Sequence, residues 1–146
     1  MSSDWLSEWI EVFARDPRSI SKARHEVGSY LDTWGLSAER FSVVLLLSEL
    51  MTNAVRHGAG PIELSVRLGS GRLRVAVTDQ GGGQPALHEP DSHDPSAGGW
   101  GLHLIDDTAE TWGVETRPGQ TTVWFEHHLT NGLETPPGGP SPLDPV

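Results

Sequence analysis

Glu49-Leu50-Met51-Thr52-Asn53-Ala54-Val55-Arg56-His57 is the stretch whose reading decides the fold. Glu49, Asn53 and His57 recur every fourth residue, which places them on one face of an α-helix. The helix extends back to about Ala38, with Ser37 as N-cap and Gly58 free to take the left-handed position that ends many helices. From Phe41 to Met51 it is apolar over most of its girth, which predicts a buried, central helix. A buried polar group without a hydrogen bond costs about 1–3 kcal/mol, so Glu49 and Asn53 need partners. A ligand-lined cleft would supply them.

The flanking sequence supplies the rest of the architecture. Asp16 and Pro17 open an earlier helix on which Ile20, Ala23, Val27, Tyr30, Leu31 and Trp34 recur at three and four residues, and Gly35 closes it. Residues 5–14 fit a helical stripe and an edge strand equally. Ile62, Leu64, Val66 and Leu68 alternate with polar residues, Gly69-Ser70-Gly71 turns the chain, and Leu73, Val75 and Val77 alternate again up to Asp79. A second hairpin runs from Trp112 to Arg117, through Pro118-Gly119, and back over Thr121 to His127. Between the hairpins, residues 80–98 carry Pro85, Pro90 and Pro95 and show no periodicity. A loop that long inside a compact domain is usually functional, and Gln84 to Ala97 read as a lid. Trp100 to Ala109 reads as a short helix, and residues 130–146, rich in Pro and Gly, read as a disordered tail.

Composition excludes several function classes. The chain has 146 residues, a net charge of -10 and no cysteine. Lys22 is the single lysine, so no basic stripe is available to neutralise a nucleic-acid backbone, and no direct nucleic-acid binding is expected. Disulfides and thiolate metal sites are excluded. The N-terminus lacks the basic and apolar regions of a signal peptide, and the longest apolar run, Val43 to Leu47, is too short to span a bilayer. These features lead us to expect a cytoplasmic, non-membrane protein.

Two glycine-dense loops complete the pattern: Asp79-Gln80-Gly81-Gly82-Gly83 and Gly98-Gly99-Trp100-Gly101-Leu102. With the helix motif before them, in that order and at those separations, they resemble the N, G1 and G2 boxes of the GHKL ATPase superfamily. This is the Bergerat-fold family of gyrase, Hsp90 and histidine kinases. Within it the chain looks most similar to the stand-alone anti-sigma-factor serine kinases of bacteria. The resemblance implies an α+β two-layer sandwich: a mixed, mostly antiparallel sheet of four or five strands with helices packed on one face. It favours a strand near 9–14 and an ATP-binding domain over 9–129, with a lid at 84–98, an N-terminal extension at 1–8 and the tail at 130–146.

The resemblance also assigns roles. Asn53 becomes the ligand of Mg²⁺, an ion that takes one or two protein oxygens alongside phosphates and water. Glu49 becomes the general base that accepts a hydroxyl proton beside the γ-phosphate. His57 meets phosphate oxygens. Asp79 accepts from the exocyclic amine of adenine, where guanine would oppose it with a carbonyl, so ATP is preferred over GTP. Gly81 and Gly83 let backbone approach the base, Gly99, Gly101 and Leu102 cradle phosphates at a helix N-terminus, and Thr121 reaches the adenine region. Taken singly, Asn53 bonding locally, His57 meeting the last helix carbonyls, Asp79 as a turn residue and Thr121 as an ordinary strand threonine remain open readings. No Gly-Lys pair of a Walker A loop is present. Trp100 in the phosphate loop, and the acidic lid with His88 and His93, depart from the family pattern.

The function implied is an ATP-dependent serine/threonine protein kinase that sequesters a sigma factor and phosphorylates a STAS-type antagonist. A homodimer is expected through the N-terminal part, where Trp5, Trp9 and Phe13 would otherwise expose apolar surface. One alternative is a non-catalytic ATP-gated protein-binding module. Another is a histidine-kinase-like catalytic domain, disfavoured because no helical dimerisation segment with a phosphoacceptor histidine fits before residue 16.

Overall fold

The computed structural model describes residues 5–81 and 111–129. Its elements in chain order are β1 (Trp5–Phe13), α1 (Pro17–Thr33), α2 (Arg40–His57), β2 (Ile62–Gly69), β3 (Arg72–Asp79), β4 (Thr111–Arg117) and β5 (Gln120–His128). The strands form one five-stranded sheet in the order β1-β2-β3-β5-β4, and every neighbouring pair is antiparallel. This is a Bergerat-like α+β fold. The sheet is antiparallel throughout its described strands, where a mixed one was expected. The reason is connectivity: two hairpins join β2 to β3 and β4 to β5, and two helices between β1 and β2 return the chain in the opposite direction. A single crossover helix would have made β1 and β2 parallel.

Alternation on the strands decides which face the helices cover. Ile62, Leu64, Val66 and Leu68 of β2, Leu73, Val75 and Val77 of β3, and Val123 and Phe125 of β5 are all buried. Register places Val66 opposite Val75 and Val75 opposite Phe125, so these side chains share the inner face. Against it α2 lays Val43, Leu46, Leu47, Leu50, Met51 and Ala54, while α1 adds Ala23, Val27 and Leu31. Burying each large aliphatic side chain is worth about 1.5–3 kcal/mol.

β1 starts at Trp5 rather than near residue 9, with a register irregularity between Trp5 and Ser7. Its sequence was ambiguous because residues on both faces are apolar. Trp9 stacks on Tyr30, which stacks on Trp34, with ring centroids 5.1 Å apart in both pairs. Phe13 is buried, and Trp5 lies beneath the Arg72 guanidinium at 4.5 Å. The exposed apolar side chains of this strand are therefore Leu6, Ile10 and Val12, and not Trp9 or Phe13 as expected.

The helix ends correct three further expectations. Asp16 caps α1 as anticipated, accepting from the Arg18 N–H at 2.8 Å with Pro17 in the first turn, and Gly35 at φ 78° turns the chain out of that helix. Ser37, however, does not cap α2; its hydroxyl donates to Asp32 Oδ1 at 2.8 Å within a single 3-10 turn, Ser37–Glu39. Glu39 then precedes α2 with no side-chain cap, and its carboxylate meets His127 Nε2 of β5 at 2.8 Å. Gly58 is extended, at φ -92° and ψ -165°, and the left-handed position falls on Gly60. Nor is α2 buried all round. Phe41 is 78% exposed and Leu45 37% exposed, so the helix buries one side and presents apolar side chains on the other.

Phe125 on β5 lies on the inner face with no exposure. Phe125→Ala should cost about 3–5 kcal/mol of unfolding free energy, measured by urea denaturation. A loss below about 1 kcal/mol would mean that the two layers do not close on this side chain.

Candidate functional site

The site is built where the last turns of α2 meet the ends of β3 and β5. Asn53 faces inward from α2 and is 6% exposed. Its Oδ1 is fully buried and has no hydrogen-bond partner among the described residues. A buried acceptor in that state is rare in native structures, because it forfeits water and gains nothing in exchange. Among the described residues no cluster of three His, Asp or Glu side chains could hold a metal alone. One amide oxygen fits Mg²⁺ nonetheless, since that ion keeps several waters and takes substrate phosphates for the rest of its shell.

Glu49 lies one turn earlier and is half-buried. Burial raises its pKa above the ordinary carboxylate value. It has no hydrogen-bond partner among the described residues. On the exposed end of α2, His57 precedes Gly58, whose N–H donates to the Ala54 carbonyl at 2.9 Å. Arg15 Nη1 donates to the Val55 carbonyl at 3.0 Å, supplying a cation to this carboxyl end of the helix.

Asp79, the last residue of β3, is buried, and Thr121 is its partner in register on β5. The two hold the chain as it leaves the strand. Asp79 Oδ1 accepts from the Gly81 N–H at 2.7 Å, and the Thr121 hydroxyl donates to the Gly81 carbonyl at 2.7 Å. The Gln80 N–H donates to the Ala59 carbonyl at 2.8 Å, stitching this exit to the loop after α2. Gly81 is thus gripped on both its polar groups. Asp79 Oδ2 accepts no hydrogen bond among the described residues.

The sequence reading missed the part played by Gly58. A Cβ built there would lie 2.6 Å from Asp79 Cγ, 2.8 Å from Asp79 Oδ2 and 2.6 Å from the Ala54 carbonyl oxygen. The residue is glycine because β3 and α2 approach too closely for a side chain, and its own φ demands nothing special. The Gly58-Ala59-Gly60 run was the available signal, but it reads equally as a helix stop.

The structure therefore brings Glu49 and Asn53 together on one helix, and Asp79, Gly81 and Thr121 into one hydrogen-bonded corner beside its end. Gly83, Gly99, Gly101 and Leu102 lie outside the described residues. So do the lid at 84–98 with His88 and His93, Trp100, the helix expected over 100–109 and the tail at 130–146. Among the described residues no helix is long and apolar enough to cross a membrane.

Residues 13–126 match the family of the Histidine kinase-like ATPase domain. The chain belongs to that family. A sensor histidine kinase of Bacillus subtilis, YkoH, is 29% identical over 114 residues, which span 66% of this chain and 25% of the kinase. The uncharacterised protein SCO4941 of Streptomyces coelicolor is 33% identical over 103 residues, spanning 68% of this chain and 89% of that protein. Among solved structures, the RsbU and RsbW domains of Rv1364c from Mycobacterium tuberculosis align with a TM-score of 0.64 at 20% identity, over 84% of this chain and 32% of that one. The histidine kinase domain of Erythrobacter litoralis EL346 aligns with a TM-score of 0.52 at 19% identity, over 79% of this chain and 61% of that one. The chain thus spans a quarter of the Bacillus kinase and a third of the mycobacterial chain. At these identities the structures establish the fold of this histidine kinase-like ATPase domain, and the chemistry rests on its own residues.

Two predictions follow from the geometry. Gly58→Ala should displace the Asp79 carboxylate and weaken Mg-ATP binding about tenfold, equivalent to about 1.4 kcal/mol, by calorimetric titration, while the far-ultraviolet circular dichroism stays unchanged. Unaltered affinity would separate Asp79 from nucleotide. For Glu49, a folded-state pKa raised above the unfolded value means the folded chain holds the proton longer; stability is complete below the ordinary carboxylate pKa and falls as pH rises through the raised one. Glu49→Gln should therefore melt above wild type at about pH 8 and close to it at about pH 4.

Proposed function

We propose that the protein binds Mg-ATP at this corner and is a serine/threonine protein kinase of the anti-sigma type. In this reading it sequesters a sigma factor, transfers the γ-phosphoryl group to a STAS-type antagonist, and acts as a homodimer in the cytoplasm. The observation that carries it is the buried, unpartnered Asn53 Oδ1 one helical turn from Glu49, whose burial raises its pKa. The resemblance to the anti-sigma kinases supports the choice of partners.

Each residue then has a task. Asp79 Oδ2 accepts from the exocyclic amine of adenine while Oδ1 stays on the Gly81 N–H. Thr121 keeps Gly81 in place through the carbonyl of that residue. Asn53 supplies its amide oxygen to Mg²⁺, which neutralises phosphate charge when bound. His57, at the exposed end of the helix, donates to phosphate oxygens in this reading. Glu49 accepts the proton of the acceptor hydroxyl as that oxygen bonds to the γ-phosphorus. The bond from this phosphorus to the bridging oxygen breaks, and ADP leaves with that electron pair. A carboxylate whose pKa is raised by burial is a stronger base than an ordinary glutamate, which suits this step.

A second reading has its own support. Glu49 has no orienting hydrogen bond among the described residues, whereas general bases are commonly held by a third group. An ATP-gated binding module without phosphoryl transfer would need Asn53 and Asp79 but not the Glu49 carboxylate. Phosphoryl transfer from γ-labelled ATP to a STAS-type protein distinguishes the two. The kinase reading predicts that Glu49→Gln abolishes transfer, lowering it by at least about 10²-fold, with nucleotide affinity retained. Absence of transfer by the wild type, with partner binding still ATP-dependent, would select the binding module.

A further inference from the structure

The outer surface of the helix pair carries a groove that meets the candidate site at Glu49. A groove of about 820 Å³ runs between α1 and α2, bordered by Arg24 and His25 on one side and by Phe41, Leu45 and Glu49 on the other. Phe41, Leu45 and Glu49 are spaced four residues apart, so they form one row along α2. Phe41 and Leu45 are among the few large apolar side chains left exposed. Across the groove, Arg24 and His25 have neither a hydrogen-bond nor an ion-pair partner among the described residues, whereas Arg40 nearby is paired with Asp32. In a chain of net charge -10, Arg24, without an ion-pair partner among the described residues, stands beside these exposed apolar side chains.

We propose that this groove is where the phosphoryl-accepting protein docks, through an extended segment that sets apolar side chains on Phe41 and Leu45, an acidic side chain against Arg24, and a hydroxyl at Glu49. The proposal rests on the kinase reading above. Geometry sets the register of the segment. A helix rises about 1.5 Å per residue, so Leu45 lies about 6 Å and Phe41 about 12 Å along the axis from Glu49. An extended chain advances about 3.3 Å per residue. The apolar side chains therefore fall about two and four residues from the hydroxyl, and alternation brings all three to the same face of the segment. The intervening side chains lean to the rim, where acidic groups meet Arg24. A basic segment would place cations beside Arg24 and His25, with Glu49 at the far end of the groove as the one bordering carboxylate, so the arginine side selects by charge as well as by shape.

The test uses the full chain and fluorescein-labelled peptides containing Leu-Asp-Leu-Asp-Ser or Leu-Lys-Leu-Lys-Ser, read by fluorescence anisotropy in the presence of Mg-ATP. The acidic peptide should bind at least about tenfold more tightly than the basic one. Arg24→Glu and Phe41→Asp, both at exposed positions, should each weaken it by about tenfold while calorimetric affinity for Mg-ATP is unchanged. Equal binding of the two peptides, or binding by both variants as tight as wild type, would overturn the docking surface. Mass spectrometry of the serine keeps the two readings apart. Charge-selective binding with no phosphorylation upholds the groove as a docking surface and removes the kinase step. Transfer to a partner protein that both substitutions leave untouched keeps the kinase and removes the groove.

Discussion

The close approach of β3 to the carboxyl end of α2 is the constraint on which the site depends. Asp79 lies where any side chain on Gly58 would have to be. That contact fixes how closely the Asp79 carboxylate packs against the end of α2, where the chain leaves β3. Gly81 is held by Asp79 at its N–H and by Thr121 at its carbonyl, and Gln80 is tied to Ala59. With Gln80 and Gly81 held by two strands and by the segment after α2, less ordering of these two residues is left for a ligand to impose.

The same helix divides its polar residues by depth. Asn53 is buried on the side of the core and carries an acceptor with nothing to accept from. Glu49, one turn earlier, is only half-buried, and water still reaches it. An orphan acceptor of this kind costs about 1–3 kcal/mol, which packing of the rest of α2 against the sheet must offset. Leu46, Leu47, Leu50 and Met51 supply that surplus, each about 1.5–3 kcal/mol. The apolar run around Glu49 and Asn53 therefore lets the helix tolerate the Asn53 side chain, and in the proposed reading a bound Mg²⁺ would satisfy it.

Much of this was legible in the residues themselves. The first hairpin was readable because apolar residues recur at every second position of β2 and β3, the second because Pro118-Gly119 marks its turn, and the Asp16-Pro17 helix start and Gly35 stop were written in cap chemistry. β1 was not readable from periodicity, because Leu6, Ile10 and Val12 are apolar on its open face and erase the alternation. The single-sidedness of α2 was hidden for a similar reason: Phe41 and Leu45 look like core until the position of α1 is known. Ser37 looked like a cap and instead bonds Asp32, since the intervening 3-10 turn moves the start of α2 to Arg40. Candidate residues were found through motif spacing, but Gly58 could not be, because an interatomic approach between distant segments leaves only a glycine in the sequence.

The account rests on Asp79 presenting a free carboxylate oxygen to an exocyclic amine. Calorimetric titration of the wild-type chain with Mg-ATP and Mg-GTP tests this most directly. The account predicts micromolar affinity for Mg-ATP, about -8 kcal/mol, and at least about 100-fold weaker binding of Mg-GTP, whose carbonyl would face that oxygen. Equal affinity for the two nucleotides would contradict it.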